Sequence, residues 1–271
     1  MAKHRNPFPT EEEKETKKRR KTREKWKKVG GIVLIAAAVC AAFWGIGALF
    51  GNPITRMKAS GAIGAYVREN FPQMTVSSVH YGRDSGEFYA EVTLAGSIDT
   101  HFLVYYKNGE CRDYYADSVT DLQNTVERME NAWSEKVKET LTDVIGNGTV
   151  QVSVADFREA RESGEFSVDM PEDTRPTVPL ALHVTCEGEP SVAALSRTLK
   201  AVFAALPEEY DVTRVNLTIK DGKTAWTAFH VTADDAASEN LETLLSEAFN
   251  RPISSLKQTE EFPLYVTETK E

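Results

Sequence analysis

Cysteine is scarce. Three thiols in 271 residues, Cys40, Cys111 and Cys186, are too few for a disulfide scaffold. Cys40 falls in an apolar run, while Cys111 and Cys186 fall in separate predicted domains and are expected as free thiols. Five histidines are scattered through the chain. No C-x-x-C, H-E-x-x-H, G-x-S-x-G, P-loop or EF-hand loop occurs, so the commonest signatures of redox, zinc, acyl-transfer, nucleotide and calcium chemistry are missing. No internal repeat stands out.

Charge is also missing where it would be most informative. Nothing charged lies between Lys28 and Arg56. The stretch that begins at Val29 and ends at Phe50 reads VGGIVLIAAAVCAAFWGIGALF. At about 1.5 Å rise per residue it spans roughly 33 Å as a helix, enough for a hydrocarbon core of about 30 Å. Trp26 and Trp44 stand near its ends, where indoles favour the membrane interface. The run is longer than a signal-peptide core and ends in Ala48-Leu49-Phe50-Gly51, a poor cleavage site. Val39 before Cys40 does not suit a lipoprotein signal. An uncleaved signal anchor is the expectation.

The flanks set its orientation. Residues 1–28 hold 12 of the 32 Lys/Arg and 5 of the 41 Asp/Glu, a net of +7; residues 51–271 hold the remaining 20 and 36, a net of −16. Positive flanks stay cytoplasmic, so the tail is expected inside and the body outside. The tail is charge-dense and poor in apolar residues, as disordered segments are. Its juxtamembrane basic cluster, Lys17, Lys18, Arg19, Arg20, Lys21, Arg23, Lys25, Lys27 and Lys28, is expected as a topology determinant, with binding to anionic lipid as the alternative. An acidic body disfavours a nucleic-acid partner, because it repels phosphates.

Past the anchor the pattern is α+β. Ile54, Met57, Ile63, Tyr66 and Val67 recur at roughly helical spacing, and Pro72 stops that helix. Strands are predicted at 74–81, 87–94, 100–107 and 110–115, with hairpin turns at 83–86 and at Asn108-Gly109. A long helix over 118–145 carries Val119, Leu122, Val126, Met129, Trp133, Val137, Leu141 and Val144 on one face, with Ser118 and Asp121 placed as a cap. It is expected to pack on the preceding sheet. Beyond Gly146-Asn147-Gly148 come strands at 150–154 and 180–186, a loop at 165–179, a helix at 191–206 and a hairpin of 211–220 with 224–232 across Asp221-Gly222. A helix at 236–249 and an edge strand at 262–267 follow. The expected organisation is a tail at 1–28, a transmembrane helix at 29–50, and two small α+β domains with antiparallel sheets at 51–147 and 148–271.

Gly51-Asn52-Pro53-Ile54, then Tyr66-Val67-Arg68-Glu69-Asn70-Phe71-Pro72, Val79-His80-Tyr81, Tyr89-Ala90-Glu91-Val92 and Ser97-Ile98-Asp99-Thr100-His101-Phe102-Leu103-Val104-Tyr105 occur in that order. Together they resemble the YfjL-like family, uncharacterised membrane-anchored proteins of Gram-positive bacteria. The resemblance covers roughly residues 45–120. It implies one N-terminal span with α+β domains outside the cell, and no activity, so no catalytic residue is carried over.

Three clusters could carry chemistry. Ser97, Asp99 and His101 supply the ingredients of a nucleophilic site, but sit too close in sequence to assemble a triad and suit a turn better. His183-Val184-Thr185 and His230-Val231-Thr232 could face one another if their strands pair, though no third zinc ligand is near. Ser254-Ser255-Leu256-Lys257 matches S-x-x-K without the accompanying S-D-N and K-T-G motifs. No catalytic, metal or cofactor residue is assigned. The expected role is a non-enzymatic, membrane-tethered binding module for a protein or cell-envelope component, with Tyr81, Tyr89, Tyr105, Tyr106, Tyr114 and Tyr115 as the candidate contact surface. An envelope hydrolase with a dispersed site and a signalling role through the tail are the alternatives. Ala37, Ala41 and Gly45 are spaced for close helix approach, so a homodimer through the span stays open alongside ordinary Ala/Gly content.

Overall fold

The computed structural model describes residues 51–207, 209–249 and 264–270. The basic tail, the 29–50 run with Cys40, and Ser254-Ser255-Leu256-Lys257 lie outside the described residues. Among the described residues, no helix is long and apolar enough to cross a membrane.

The order is α1 (Pro53–Asn70), β1 (Met74–Val76), β2 (His80–Gly82), β3 (Glu87–Leu94), β4 (His101–Lys107) and β5 (Glu110–Asp113). A π turn (Ala116–Thr120) leads to α2 (Gln123–Ile145), β6 (Thr149–Val154), α3 (Phe157–Glu162), β7 (Leu180–Glu187) and α4 (Val192–Ala205). Then come β8 (Val212–Lys220), β9 (Thr224–Val231), α5 (Ala233–Ala237), α6 (Leu241–Phe249) and β10 (Tyr265–Lys270). The class is α+β. Among the described residues two compact units form: one contains residues 51–92 with Leu103–Arg112, the other Thr93–Phe102 with the described residues from Asp113 on. The partition therefore does not fall at 147/148, and the connection between β3 and β4 belongs to the second unit.

In the first unit the sheet order is β1-β3-β4-β5, with β2 also antiparallel to β3. The expected single strand at 74–81 is split at Ser77. Its N–H donates to Glu91 O (2.8 Å), and its hydroxyl accepts from Glu91 N–H (3.0 Å), a local insertion that interrupts the ladder. Asn108 and Gly109 both take positive φ, 53° and 99°, as a two-residue hairpin requires. Alternation buries Phe88, Ala90, Val92 and Val104. On α1, Ala59, Ile63 and Val67 recur every fourth residue and are buried. Ile54 and Met57 do not join that stripe: they are 66% and 77% exposed. Gly51 is buried where an added Cβ would lie 2.5 Å from Phe88 Cζ, and its φ of +71° independently favours glycine.

The second unit is built on a mixed sheet of order β10-β9-β8-β7-β6. β6–β7, β8–β9 and β9–β10 are antiparallel; β7–β8 is parallel, joined across α4. Parallel neighbours need a crossover, and the helix at 192–205 supplies it. Ser191 caps that helix by accepting from Ala194 N–H (3.1 Å). α2, α4 and α6 form a layer over the sheet, and Val126, Met129, Trp133, Val137 and Leu141 share one core with Val152, Leu182, Val184, Leu199, Leu217 and Leu245. The long helix thus packs on the following sheet. Its start also differs from the capped helix expected at Ser118. The chain makes the π turn, Leu122 takes the left-handed conformation (φ 62°), and no side chain caps α2. The single helix expected at 236–249 is two, because Ser238 is extended (ψ 135°) and interrupts the turn geometry.

α2 also closes the β6 edge of this sheet. Ser134 Oγ accepts from Val152 N–H (2.8 Å) and Glu130 Oε1 from Val154 N–H (2.6 Å), satisfying donors that an edge strand leaves open. Burial pushes the Glu130 carboxyl up, the Val154 hydrogen bond opposes this, and nearby Glu127 adds to the rise. A raised carboxylate in the folded state weakens stability as pH climbs from its ordinary value through the raised one. Glu130→Gln keeps the acceptor without the charge and is expected to stay within about 1 kcal/mol of the parent at neutral pH. Glu130→Ala strands the Val154 N–H and is expected to cost about 1–3 kcal/mol in urea unfolding.

Candidate functional site

The most heavily hydrogen-bonded side-chain cluster among the described residues is centred on Asp99, in the connection between β3 and β4. Ser97 shapes that turn. Its hydroxyl accepts from Thr100 N–H (3.0 Å) and lies 2.7 Å from Thr100 Oγ1 and 3.0 Å from Asp169 Oδ1. Asp99 itself is 2% exposed. Its carboxylate is bound from three directions: Arg128 Nε (2.7 Å) and Nη2 (2.8 Å) form a bidentate fork, Thr125 Oγ1 donates at 2.8 Å, and Asp169 N–H donates at 2.8 Å. Asp169 returns the arrangement. Its Oδ1 accepts from Ile98 N–H (2.8 Å) and Asp99 N–H (2.9 Å). A left-handed φ of 60°, which aspartate tolerates better than most residues, lets Asp169 present both its amide and its carboxylate to the 97–99 turn.

α2 then holds the 166–178 segment as a strap. Arg128 Nη2 donates to Met170 O (2.7 Å), Lys136 Nζ to Glu172 O (3.2 Å) and Trp133 Nε1 to Thr174 O (2.9 Å). Alternate carbonyls along the strap are thereby satisfied from one helix. Within the strap, Pro171 and Pro176 bring no N–H of their own, so it carries two more carbonyls than amide donors. Asn124 Nδ2 bridges Asp99 O (2.8 Å) and His101 O (2.6 Å), tying the start of β4 to the same helix.

Electrostatics follow from this geometry. Burial pushes the Asp99 carboxyl up, but hydrogen bonds from Arg128, Thr125 and the Asp169 amide, with the guanidinium charge, outweigh it and hold the group below the usual carboxylate range. The Asp99 amide does the same for Asp169, against partial desolvation and the neighbouring Asp99 charge. The hydrogen bond to Asp99 raises Arg128, against burial. Beside the cluster lies a cleft of about 520 Å³ open to solvent, with Glu127, Glu135, Glu172 and Asn131 on its walls. Arg128 Nη1 is 3.9 Å from Glu172.

Ser97, Asp99 and His101 are therefore not a triad. Both carboxylate oxygens of Asp99 face Arg128, Thr125 or Asp169, and Ser97 is engaged by the turn. Ser97 does set the local turn, whereas Asp99 bonds groups 26 to 70 residues away in sequence. The paired-histidine idea is overturned by strand order: β8 lies between β7 and β9. His183 is exposed and registers with Asn216; His230 sits at an irregularity in β9, with its N–H donating to Asn216 Oδ1 (2.8 Å). Burial and nearby Arg214 push the His230 imidazole down. Among the described residues, no three His, Cys, Asp or Glu side chains converge as a metal group. Cys111 and Cys186 are free thiols, each pushed up by burial and so poor nucleophiles.

The tyrosines separate. In the first unit, His80, Tyr89 and Tyr105 form a cross-strand row with ring centroids 5.8 and 5.6 Å apart, and Arg112 lies 5.8 Å from the Tyr105 ring. In the second, Tyr115 packs edge-on against Phe102 at 5.2 Å. Sequence reading missed Arg128, Thr125 and Asp169. A lone Arg on the face of a helix beside its apolar stripe and an Asp before Met170-Pro171 were the only signals.

Fold and site together define an α+β protein of two units in which the main polar cluster is a structural clamp. No protein-family model, curated protein or solved structure matches the chain.

Proposed function

We propose that the chain is a single-pass membrane protein, anchored by the 29–50 run with its N-terminus cytoplasmic, whose two α+β units work outside the membrane by binding a protein or cell-envelope component. The charge asymmetry across the run supports the location, and the YfjL-like resemblance belongs to the same reading. What carries binding over catalysis is the closed hydrogen bonding at Asp99: the groups best placed to do chemistry already hold the 97–101 turn to α2 and the strap. A carboxylate locked in a bidentate fork with its charge neutralised is a poor general base. The contact face in this reading is the row of His80, Tyr89, Tyr105 and Arg112. Aromatic and arginine side chains are enriched where proteins meet partners.

The test is site-specific photocrosslinking in living cells, with the reactive residue at Tyr89 or at His183, followed by mass spectrometry. One recurrent adduct at Tyr89 that is missing at His183 is expected. Identical adducts at both sites, or none at Tyr89, would count against this face.

A further inference from the structure

We infer that the first turns of α1 rest on the outer surface of the membrane, with Ile54 and Met57 inserted among the lipids. This surface contact rests on the anchor reading above. Ile54 and Met57 are the two most exposed large apolar side chains among the described residues, at 66% and 77%. Ile54 and Ile63 are about two and a half turns apart, so they point to opposite sides of the helix. The side with Ala59, Ile63 and Val67 is buried in the unit's own core. The side with Ile54 and Met57 has no core to enter, and α1 is apolar on two faces for two different neighbours.

Lipid is the occupant because of where the chain comes from. The apolar run ends at Phe50, and Met57 follows within about two helical turns, roughly 10 Å. Gly51 is seated tightly against Phe88 and Tyr81, so the chain leaves the run already fixed to the first unit. Asn52 then starts α1 at once, its Oδ1 accepting from Ile54 N–H (2.9 Å) with Pro53 in the first turn. No flexible linker separates the run from the two exposed side chains. Charge agrees. The body carries a net of −16, yet α1 has no acidic residue in its first turn, and Arg56 and Lys58 flank Met57, both exposed. Apolar side chains bracketed by cations suit an anionic lipid surface.

The test uses the full chain in vesicles of equimolar phosphatidylcholine and phosphatidylglycerol. Nitroxide labels are placed at native Cys40 in the parent, and at Met57→Cys or Arg68→Cys in a Cys40→Ala chain; the Cys40→Ala chain alone gives the background from Cys111 and Cys186. Collisions with oxygen report lipid, and collisions with a water-soluble nickel chelate report solvent. A lipid-like signature at 57 and a water-like one at 68 are expected. Arg56→Glu with Lys58→Glu should reduce the signature at 57 in these vesicles but not in pure phosphatidylcholine. A water-like label at 57 while Cys40 is lipid-embedded overturns the surface contact and leaves the anchor standing. A label at 57 shielded from both probes overturns it in favour of a protein contact. A Cys40 label outside lipid overturns both.

Discussion

Replacing Arg128 by alanine is expected to destabilise the second unit by about 3–5 kcal/mol, the range for removing one partner of a buried ion pair. The loss has identifiable parts. Asp99 would remain buried with a charge answered only by Thr125 and the Asp169 amide, and Met170 O would lose its donor. Arg128→Lys keeps the charge but not the fork, so it should fall between parent and alanine. Asp99→Ala with Arg128→Met removes both charges and should cost less than the sum of the single changes, because the two sites share one interaction. Urea unfolding gives the size of the effect. Hydrogen exchange localises it: amides around Asp99 and Asp169 should lose protection first.

The same clamp gives the acid response a sign. Asp99 and Asp169 both sit below the usual carboxylate range. Their contribution is therefore complete above the unfolded value of about 3.9, and is lost as pH falls through their lower folded values. Asp169→Asn should flatten the dependence of stability on pH below about 4. Glu130, raised by burial, acts in the opposite sense at higher pH, so Glu130→Gln should leave that acid limb unchanged.

Trp133→Ala is expected to cost about 3–5 kcal/mol as well, for a different reason. Trp133 is 1% exposed, packs 6.2 Å from Phe166, and donates to Thr174 O. The truncation opens a cavity between α2 and the strap and leaves a carbonyl unpaired. Trp133→Phe retains most of the volume and loses only the N–H, so it should cost on the order of 1 kcal/mol. The near-ultraviolet circular dichroism of the two variants, compared with their unfolding midpoints, separates packing from hydrogen bonding.

Local structure was largely legible in the amino-acid pattern because local chemistry governs it. The strand at 87–94, the Asn108-Gly109 turn and the helix after Ser191 follow from alternation, positive-φ residues and capping. At Asp221-Gly222 the hairpin is where the dipeptide signals it, but its loop runs one residue longer. Asp221 Oδ1 accepts from Lys223 N–H and Thr224 N–H, at 3.0 and 2.8 Å. What the pattern hides is partnership at distance. The stripe on α2 shows that one face is buried but not which sheet buries it; Trp133 and Met129 suit either neighbour. A parallel β7–β8 pair is invisible until the crossover helix is docked. The clamp is the clearest case. Asp99 beside Ser97 and His101 reads as local chemistry, whereas its real partners are contributed from positions 125, 128 and 169. Ile54 and Met57 recur at helical intervals yet stay exposed, because Ile54 falls on the side of α1 opposite to Ile63, away from the unit's own core.

The proposed function and the lipid contact of α1 both require that the chain is tethered with its two α+β units outside the cell membrane. Intact protoplasts treated with protease, and blotted with antibodies against the N-terminal tail and against β8–β9, test it most directly. Digestion of the β8–β9 epitope with survival of a small membrane-bound fragment carrying residues 1–28 is the predicted result. Protection of the β8–β9 epitope until the membrane is breached, or release of both epitopes in the soluble fraction before any protease is added, would contradict it.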